Sequence, residues 1–544
     1  MLSAIRNLFV GYGRFLTAPA TPVIAPFRRP VAPHRAAMRK LAFFAMCIFL
    51  GMVYGFVFTV FPLSFIVVLA LPILALVMIV IWALPDQEKA PTRALTNLLF
   101  LLIVLVVLWP NYLAIALPGL PWISVRRLFS PIVTFILLIC ISTSARFRAE
   151  LGHSLRSSPL IYIGVTIFAI LQLVTLIWSA SPLGGLFPVI DHEFLWIGVF
   201  FASAWVFTQP GMVRRGAVTL LVMSLIVAVI GMLEWKNQQI LWARHIPSFF
   251  QIGDDAVERI LTPQFRDGRY RIASTFSLSL TFAEYLALTT PFVLYFLFRA
   301  RSIITMAIWA AADLALLVVI FLSTARLGVI GWLTAHGFFI MFWAFKRWRT
   351  NKADLIGPAL SIAFPTALVL LVVGINTVDA IHNRTVGGGS TSYSDDGRRI
   401  QFGMAPPVIA KNPFGYGSGQ GSGALGYVAP SGLLTVDSYL LTIVLDYGIL
   451  GFLAYYGVML TAIINGARAS LEEEDDSSDN VSFSLAVSTA ILVFLTAKLV
   501  LSQEDNHAVY FFLLGMSCAI QSQTRRRPVA KPAISSAAAL PAAA

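Results

Sequence analysis

Apolar runs of membrane-spanning length alternate with short polar segments along most of this chain of 544 residues. An α-helix needs about 20 apolar residues to cross a bilayer, and each run comes close to that length. The pattern predicts an all-α, polytopic integral membrane protein with about 14 transmembrane helices, and about 12 as the lower figure. The predicted spans are 41–60, 62–84, 95–117, 128–144, 159–179, 186–208, 216–234, 273–298, 303–323, 327–345, 355–375, 440–464, 482–501 and 508–522.

Composition agrees with the membrane class. The chain has a mean hydropathy of +0.81, with 58% hydrophobic and only 12% charged residues, which leaves no room for a soluble domain of ordinary size. The formal net charge of +13 is carried by short loops between the runs, so it reflects membrane topology and not a nucleic-acid surface. The three cysteines, Cys47, Cys140 and Cys518, lie in apolar runs and predict no disulfide framework.

Three regions are predicted along the chain. Residues 1–40 are rich in arginine and proline and residues 526–544 are rich in alanine, so both are predicted to be disordered and cytoplasmic. Residues 41–525 form the transmembrane domain, which contains two long polar loops at 235–272 and 376–437. No short apolar core with a small-residue cleavage site follows the first arginines, so we expect no removable signal peptide.

The distribution of lysine and arginine predicts the orientation. Of the 39 basic residues, 25 lie on the side of the termini, 13 lie on the other side, and Lys498 falls inside a run. Short loops rich in lysine and arginine stay in the cytoplasm. Both termini are therefore predicted to be cytoplasmic, and both long loops external.

Arginines on the outer side oppose this topological preference and need another explanation. Eleven of the 13 outer basic residues lie in the two long loops or at Arg326, in the tight turn between two runs. A single arginine at a helix end often only snorkels to the interface, but here three separate elements each supply one. Because the planar guanidinium grips phosphate with two hydrogen bonds, the pattern predicts a phosphate site formed by Arg271, Arg326, Arg398 and Arg399. Arg266 and Arg269 are weaker candidates for the same site.

Two carboxylates are candidates for a general base. Asp437 opens the run that follows the second loop, where it could accept a proton or cap the helix, and both readings stay open. Glu284, halfway along its run, is the second candidate. Gln401 and Tyr439 are weaker substrate-binding candidates. The glycines of NPFGYGSGQGSGALG predict a mobile loop that folds over substrate, and Asp446-Tyr447-Gly448 predicts a break within the following helix.

No metal site is predicted. Asp191, His192 and Glu193 are consecutive and so lie on different faces of a helix, and Asp395-Asp396 is followed at once by two arginines. No nucleotide-binding motif is present, so we expect no cofactor.

The order of four segments resembles the O-antigen ligase and polymerase superfamily (Wzy/WaaL type). The segments are RIASTF with FAEYL, FLSTARLGVIG, RRIQFGMAPPVIAKNPFGYGSG and VDSYLLTIVLDYGILGF. The resemblance runs from about Pro182 to the last span and is strongest from Arg398 to Phe452. Ligases of the family typically carry His-Asn where this chain has Asp437-Ser438, so the chain looks closer to the ExoQ-like exopolysaccharide polymerases.

This resemblance implies a GT-C-like, metal-independent membrane glycosyltransferase in the bacterial inner membrane, with its active site on the periplasmic side. It implies an undecaprenyl-pyrophosphate-linked glycan as donor and as acceptor, and pyrophosphate binding by Arg271, Arg326 and Arg398 or Arg399. A chain-length regulator (polysaccharide co-polymerase) is a further implied partner, beside membrane lipids. The alternatives are an O-antigen ligase that transfers glycan to lipid A-core and, more remotely, a lipid-linked oligosaccharide flippase or transporter, for which the sequence shows no internal repeat.

Overall fold

A computed structural model describes residues 66–86, 90–116, 122–250, 254–266, 268–353, 355–377, 392–429, 432–472 and 480–524, together with parts of 38–53. The terminal segments predicted to be disordered lie outside the described residues, apart from a single residue of the first, and so do positions 378–391 of the second long loop. The described part is mostly helical and has membrane-spanning helices, which confirms the all-α, polytopic membrane class.

The helices of the described residues follow one another with short connections. They are α1 (Ile66–Trp82), α2 (Thr92–Leu108), α3 (Val125–Thr143), α4 (Ala145–Arg156), α5 (Pro159–Val174), α6 (Pro182–His192), α7 (Gly198–Val206), α8 (Met212–Asn237), α9 (Asp255–Leu261), α10 (Ser279–Phe298), α11 (Ile303–Leu322), α12 (Arg326–Thr350), α13 (Ile356–Thr377), α14 (Ser392–Lys411), α15 (Gly421–Leu425), α16 (Tyr439–Leu471), α17 (Ser484–Lys498) and α18 (His507–Thr524). Two antiparallel strand pairs lie between them, β1 (Ala114–Ile115) with β2 (Ile123–Ser124), and β3 (Phe265–Arg266) with β4 (Arg269–Tyr270).

Nine helical stretches within the described ranges are long and apolar enough to cross a membrane. They begin and end within a few residues of the predicted spans. The total of about 14 spans stays a prediction, because half of the first predicted span lies outside the described residues. The chain divides into two compact units, and every residue of the site below belongs to the larger one, which comprises 93–115, 123–134 and 150–544.

Among the described spans of the larger unit, α10 and the helix that ends at Lys498 are the most enclosed. In each, 83% of the residues in its apolar stretch of 18 are buried. Close helix contact is possible because α12 presents glycines to α10. A Cβ at Gly328 would lie 2.6 Å from the Ala283 side chain, and one at Gly331 would lie 2.9 Å from that of Ala287. Small residues at such positions let membrane helices pack backbone to backbone.

Helix α16 is broken at Gly448, as the sequence predicted. Its φ of 71° and ψ of −173° fall in a region that essentially only glycine adopts. A Cβ there would collide with the carbonyl oxygen of Pro413. The break leaves an outer segment of α16 that begins at Tyr439, followed by a span of full length.

The glycine-rich loop after α14 packs against this break and does not form the predicted mobile lid. The Asp446 carboxylate accepts the backbone N–H groups of Gly419 at 2.9 Å and Gly421 at 2.6 Å. The Gly417 N–H donates to the backbone oxygen of Asp446 at 2.9 Å. The prediction of a loop that folds over substrate is therefore wrong for this segment, because the helix break fixes its backbone.

Candidate functional site

Contacts between outer loops gather the candidate residues on one side of the helices. The Trp242 indole donates to the Tyr112 hydroxyl at 3.1 Å and joins the loop before α10 to the loop before α3. The Ser438 hydroxyl donates to the Leu499 backbone oxygen at 2.8 Å and joins the start of α16 to the turn before α18. All of these loops were predicted to be external, and the structure places them together.

Arg271 lies on a short segment that one buried carboxylate holds in place. Glu234 on α8 accepts the Tyr270 hydroxyl at 2.8 Å and the backbone N–H groups of Ala273 and Ser274 at 3.1 and 2.6 Å. The sequence placed Arg271 at a helix end, but α10 begins only further along the chain. The backbone beside Arg271 is therefore fixed by this clamp of Glu234 and not by a helix end.

Among the described residues, no acidic side chain forms an ion pair with Arg271. Its guanidinium is half-buried, and its Nε atom has no hydrogen-bond partner among the described residues. Burial lowers the pKa of Arg271, and the charge of Arg266 lowers it further. Both effects disfavour the cation, so a bound anion would stabilise this site. Arg266 is half-buried opposite Arg269 on the β3–β4 hairpin, whereas Arg269 itself is exposed.

Arg326 is the first residue of α12 and follows a strained turn. Thr324 has a φ of 55°, which is rare for a β-branched residue, and the Ser323 hydroxyl accepts a backbone N–H within the turn at 3.2 Å. Leu327, the next residue, packs in one cluster with Leu501. Arg326 therefore stands beside the turn that precedes α18.

Gln401 joins α14 to the start of α16. Its side chain is fully buried, and its Oε1 atom accepts the backbone N–H of Asp437 at 2.9 Å. Its Nε2 atom is buried and has no partner in the part of the chain that the structure describes. Arg398 precedes Gln401 by about one helical turn on the same face, which places Arg398 and Asp437 at the same corner. Arg399 faces solvent.

The sequence predicted a long polar loop around Arg398 and Arg399, but both lie in helix α14, despite prolines at 406 and 407. The helix forms because its apolar face packs on α16, with Ala405 in one cluster with Leu441 and Leu445. Tertiary packing here outweighs local propensity.

The two carboxylates predicted as bases have different surroundings. Asp437 is half-buried, and within the described ranges its side chain accepts one hydrogen bond, from the Thr435 hydroxyl at 3.4 Å. The N-cap of α16 is Ser438, so the capping role considered for Asp437 is wrong.

Glu284 has no exposed surface and forms an ion pair with Lys498 at 3.0 Å, supported by the Asn506 amide at 2.8 Å. Lys498 is equally enclosed. Because no substrate hydroxyl reaches an enclosed carboxylate, the structure corrects the prediction for Glu284 to a structural role, in which it neutralises a buried lysine.

The turn before α18 carries functional candidates that the sequence reasoning missed. Asp505 accepts the Asn111 amide and the Ser277 hydroxyl, both at 2.7 Å, and lies 3.6 Å from the Arg126 guanidinium. Arg126 is one of the three arginines predicted to be external that lie outside the two long loops, and its Nε atom is buried without a partner among the described residues. Asp505 thus links the segment of Arg271 to the start of α3.

Glu504 lies beside Asp505 and faces a polar cluster in the larger unit. Its carboxylate contacts His192 Nε2 at 3.2 Å and the Tyr439 hydroxyl at 3.3 Å. His192 Nδ1 lies 2.7 Å from Gln172 Oε1 and 3.5 Å from the Tyr447 hydroxyl. Tyr439, a weaker substrate-binding candidate from the sequence, is itself buried, so its hydroxyl serves this cluster.

Glu504 remains ionised in this setting. Burial raises its pKa, but the electrostatic interaction and hydrogen bond with His192 lower it, and Tyr439 and Lys498 add to the lowering. The net result is a pKa below the ordinary value for a glutamate. The side chain is nevertheless 44% exposed, against 6% for His192, so its carboxylate is open to solvent on one side.

A π-helical segment, Glu193–Ile197, directly follows His192. Such insertions are often found at functional sites. The His192 ring stacks on Trp196 with centroids 3.6 Å apart, and Asp191 pairs with Arg127 at 3.3 Å. Across the described ranges, no three histidine, cysteine or acidic side chains form a cluster that could hold a metal ion.

One comparison with known proteins identifies a family for part of the chain. The family model Wzy_C, described as O-Antigen ligase, matches residues 311–456, about a quarter of the chain. The matched part contains Arg326, helix α14, Asp437 and the break in α16, and it supports the O-antigen ligase and polymerase superfamily. No curated protein matches the chain. Arg271 and Glu504 lie outside the matched part.

Proposed function

We propose that this chain, with its O-antigen ligase match, is a polymerase that joins undecaprenyl-pyrophosphate-linked oligosaccharide repeat units into a surface polysaccharide or exopolysaccharide. The reaction takes place on the periplasmic side of the bacterial inner membrane. The observation that carries the proposal is Arg271, which lies on a rigidly held segment, has no ion-pair partner among the described residues, and belongs to the same group of loops as Arg326 and Arg398. The match of residues 311–456 to the O-antigen ligase family model supports a glycan-transfer reaction.

The arginines provide binding for a diphosphate. Arg271 is fixed by the Glu234 clamp, Arg326 by the turn before α12, and Arg398 by helix α14. Transfer of the glycan leaves negative charge on the lipid pyrophosphate. A preorganised donor aimed at such charge is worth about 3–4 kcal/mol, or about 10²–10³ in rate. These cations supply the electrostatic stabilisation that the reaction needs, and no metal enters the proposal.

The acceptor is a sugar hydroxyl of a second lipid-linked chain. Its oxygen attacks the anomeric carbon of the donor, the bond from that carbon to the pyrophosphate oxygen breaks, and the lipid pyrophosphate leaves with the electron pair. A carboxylate at this corner takes the hydroxyl proton. The sequence favours Asp437 for this role.

The choice of polymerase over ligase rests on the start of α16. The family's ligases carry His-Asn where this chain has Asp437 and Ser438. The Ser438 hydroxyl donates a hydrogen bond to the backbone oxygen of Leu499, so Ser438 has a structural role at this position. The alternative remains an O-antigen ligase that uses lipid A-core as acceptor. A chain-length regulator would act as a partner in the membrane.

Reconstitution of the purified protein in liposomes tests the proposal. The lipid-pyrophosphate-linked repeat unit is supplied alone, and the products are separated by size. A polymerase gives a ladder of lipid-linked oligomers without any other acceptor. A ligase gives no ladder and forms product only when lipid A-core is added, which would refute the proposal.

A further inference from the structure

The geometry points to Glu504 as the group that accepts the proton of the acceptor hydroxyl, with His192 and Tyr439 as its positioning residues. The inference rests on the proposed function and assigns the base of that reaction. It moves the role from Asp437 to a residue that the family match does not include.

The backbone around Glu504 is fixed on both sides. On one side, the Gln503 carbonyl oxygen accepts the Lys498 ammonium group at 2.5 Å. On the other side, Asp505 holds the Ser277 hydroxyl, and the Asn506 amide donates to the Thr281 backbone oxygen at 2.9 Å. A base must stay within hydrogen-bond reach of the proton it removes. Because the backbone of this turn is fixed, no loop has to move to bring the Glu504 carboxylate into position.

The carboxylate itself is oriented through both of its oxygens. Oε2 faces His192 Nε2 at 3.2 Å, and Oε1 accepts the Tyr439 hydroxyl at 3.3 Å. Gln172 in turn holds the His192 ring through Nδ1. A chain of this kind, in which a reacting group is aligned by a second group that is held by a third, is typical of catalytic acid–base sites.

The Glu504 carboxylate can also accept further hydrogen bonds, as from a substrate hydroxyl. A carboxylate offers about four lone-pair positions, and the two contacts above leave about half of them unused. Its side chain is 44% exposed, so a sugar hydroxyl can approach. Glu284, in contrast, is fully enclosed. Because His192, Tyr439 and Lys498 favour the ionised form, Glu504 is ready to accept a proton at neutral pH.

Asp437 belongs to the same corner but lacks this support. It stands two residues before Tyr439, and the one hydrogen bond of its side chain in the described part of the chain is a long one, from Thr435 at 3.4 Å. Its backbone, not its carboxylate, is bound by Gln401. The position suits a residue that lines the entry for the acceptor sugar. The oriented carboxylate is that of Glu504.

The acceptor hydroxyl gives its proton to Glu504 while its oxygen forms the new bond to the anomeric carbon. The bond between that carbon and the pyrophosphate oxygen breaks, and the lipid pyrophosphate departs with the electron pair. The neutral Glu504 then releases its proton to water, which its exposed side can reach. No oxidant, reductant or further reactant is needed.

Two substitutions, Glu504→Gln and Asp437→Asn, test the assignment in the liposome assay. Glutamine keeps the size of Glu504 and can accept the Tyr439 hydrogen bond, but it cannot take up the proton. We expect Glu504→Gln to lower kcat by about 10²–10⁴ with little change in KM for the donor. Asp437→Asn should lose less than about tenfold. Glu258→Gln, on the exposed face of α9, is the control and should match the wild type.

The pH profile separates a base from a structural residue. In the wild type, kcat/KM should fall on the acid side as Glu504 takes up a proton. The residual activity of Glu504→Gln should lack this fall, whereas a merely destabilised variant would keep it. If Glu504→Gln does not reach the membrane, Glu504→Asp carries the test, since its shortened carboxylate should lower kcat and keep the acid fall.

The inference is overturned if Glu504→Gln polymerises at near the wild-type rate, if its acid fall persists, or if Glu504→Asp has a wild-type kcat. Failure of the proposed function is a distinct outcome. In that case the wild-type protein itself forms no ladder from lipid-linked repeat units.

Discussion

Replacement of Arg271 by lysine is the sharpest test of the pyrophosphate site. Lysine keeps the positive charge but loses the planar fork that binds two phosphate oxygens at once. A hydrogen bond to a charged group contributes about 1.5–3 kcal/mol. Loss of one of the two bonds should therefore lower the polymerisation rate about 10- to 100-fold. Alanine removes both bonds and the charge, and should cost about 10²–10⁴.

The assay is the initial rate of ladder formation in liposomes per amount of folded protein. Arg259, exposed on α9 in the same long loop, provides the matched control, and Arg259→Lys should be active. Because Glu234 holds the segment through Tyr270 and two backbone groups and not through Arg271, the melting temperature of Arg271→Lys should change little. An Arg271→Lys protein within about twofold of the wild type would refute a bidentate role for this arginine.

Other parts of the structure give three further predictions. Lys498→Met should leave Glu284 as an unpaired buried charge and destabilise the protein by about 3–5 kcal/mol. In thermal unfolding, the double variant Lys498→Met with Glu284→Gln should recover much of that lost stability. Additive losses of stability from the two substitutions would contradict the ion pair. Gly448→Ala should strongly reduce the amount of folded protein in the membrane, because its backbone conformation excludes a Cβ, whereas Gly457→Ala, with nothing within 4 Å of a Cβ, should not. Polymerisation by the purified protein should persist in excess EDTA because arginines supply the positive charge, and an EDTA loss that magnesium or manganese restores would refute this.

Local sequence patterns were sufficient for the features that depend on local chemistry. The apolar runs predicted the helices, and Asp446-Tyr447-Gly448 predicted the break of α16. The external position of Arg271 and Arg326, inferred from the uneven distribution of lysine and arginine, stays a prediction. In each case a short stretch of residues carries the information.

Features that depend on distant contacts were missed. His192 and Glu504 are separated by 312 positions, and neither stands in a motif with the other. The sequence does contain one signal for this turn, which is its run of polar residues. Gln503 to Asn506 are four consecutive polar residues between two apolar helices. Lys498 and Glu284 were noticed separately, but only the packing of α17 on α10 shows them as a pair.

The glycine-rich loop shows why one interpretation failed. Many glycines in a row are typical of a mobile segment, and also of a backbone that approaches another backbone closely. At Gly415, a Cβ would meet the backbone of Asp446. The sequence could not choose between mobility and close approach, because the partner surface is a helix break further along the chain.

Glycan analysis of a deletion strain complemented with either the wild type or Arg271→Lys tests the central claim most directly. The measured quantity is the length distribution of the glycan attached to the lipid pyrophosphate carrier. The polymerase account predicts that the deletion strain and the Arg271→Lys strain accumulate single repeat units on the carrier, while the wild type restores long chains. Long polymer on the carrier in the deletion strain would contradict the account, since the missing step would then be transfer of a finished chain.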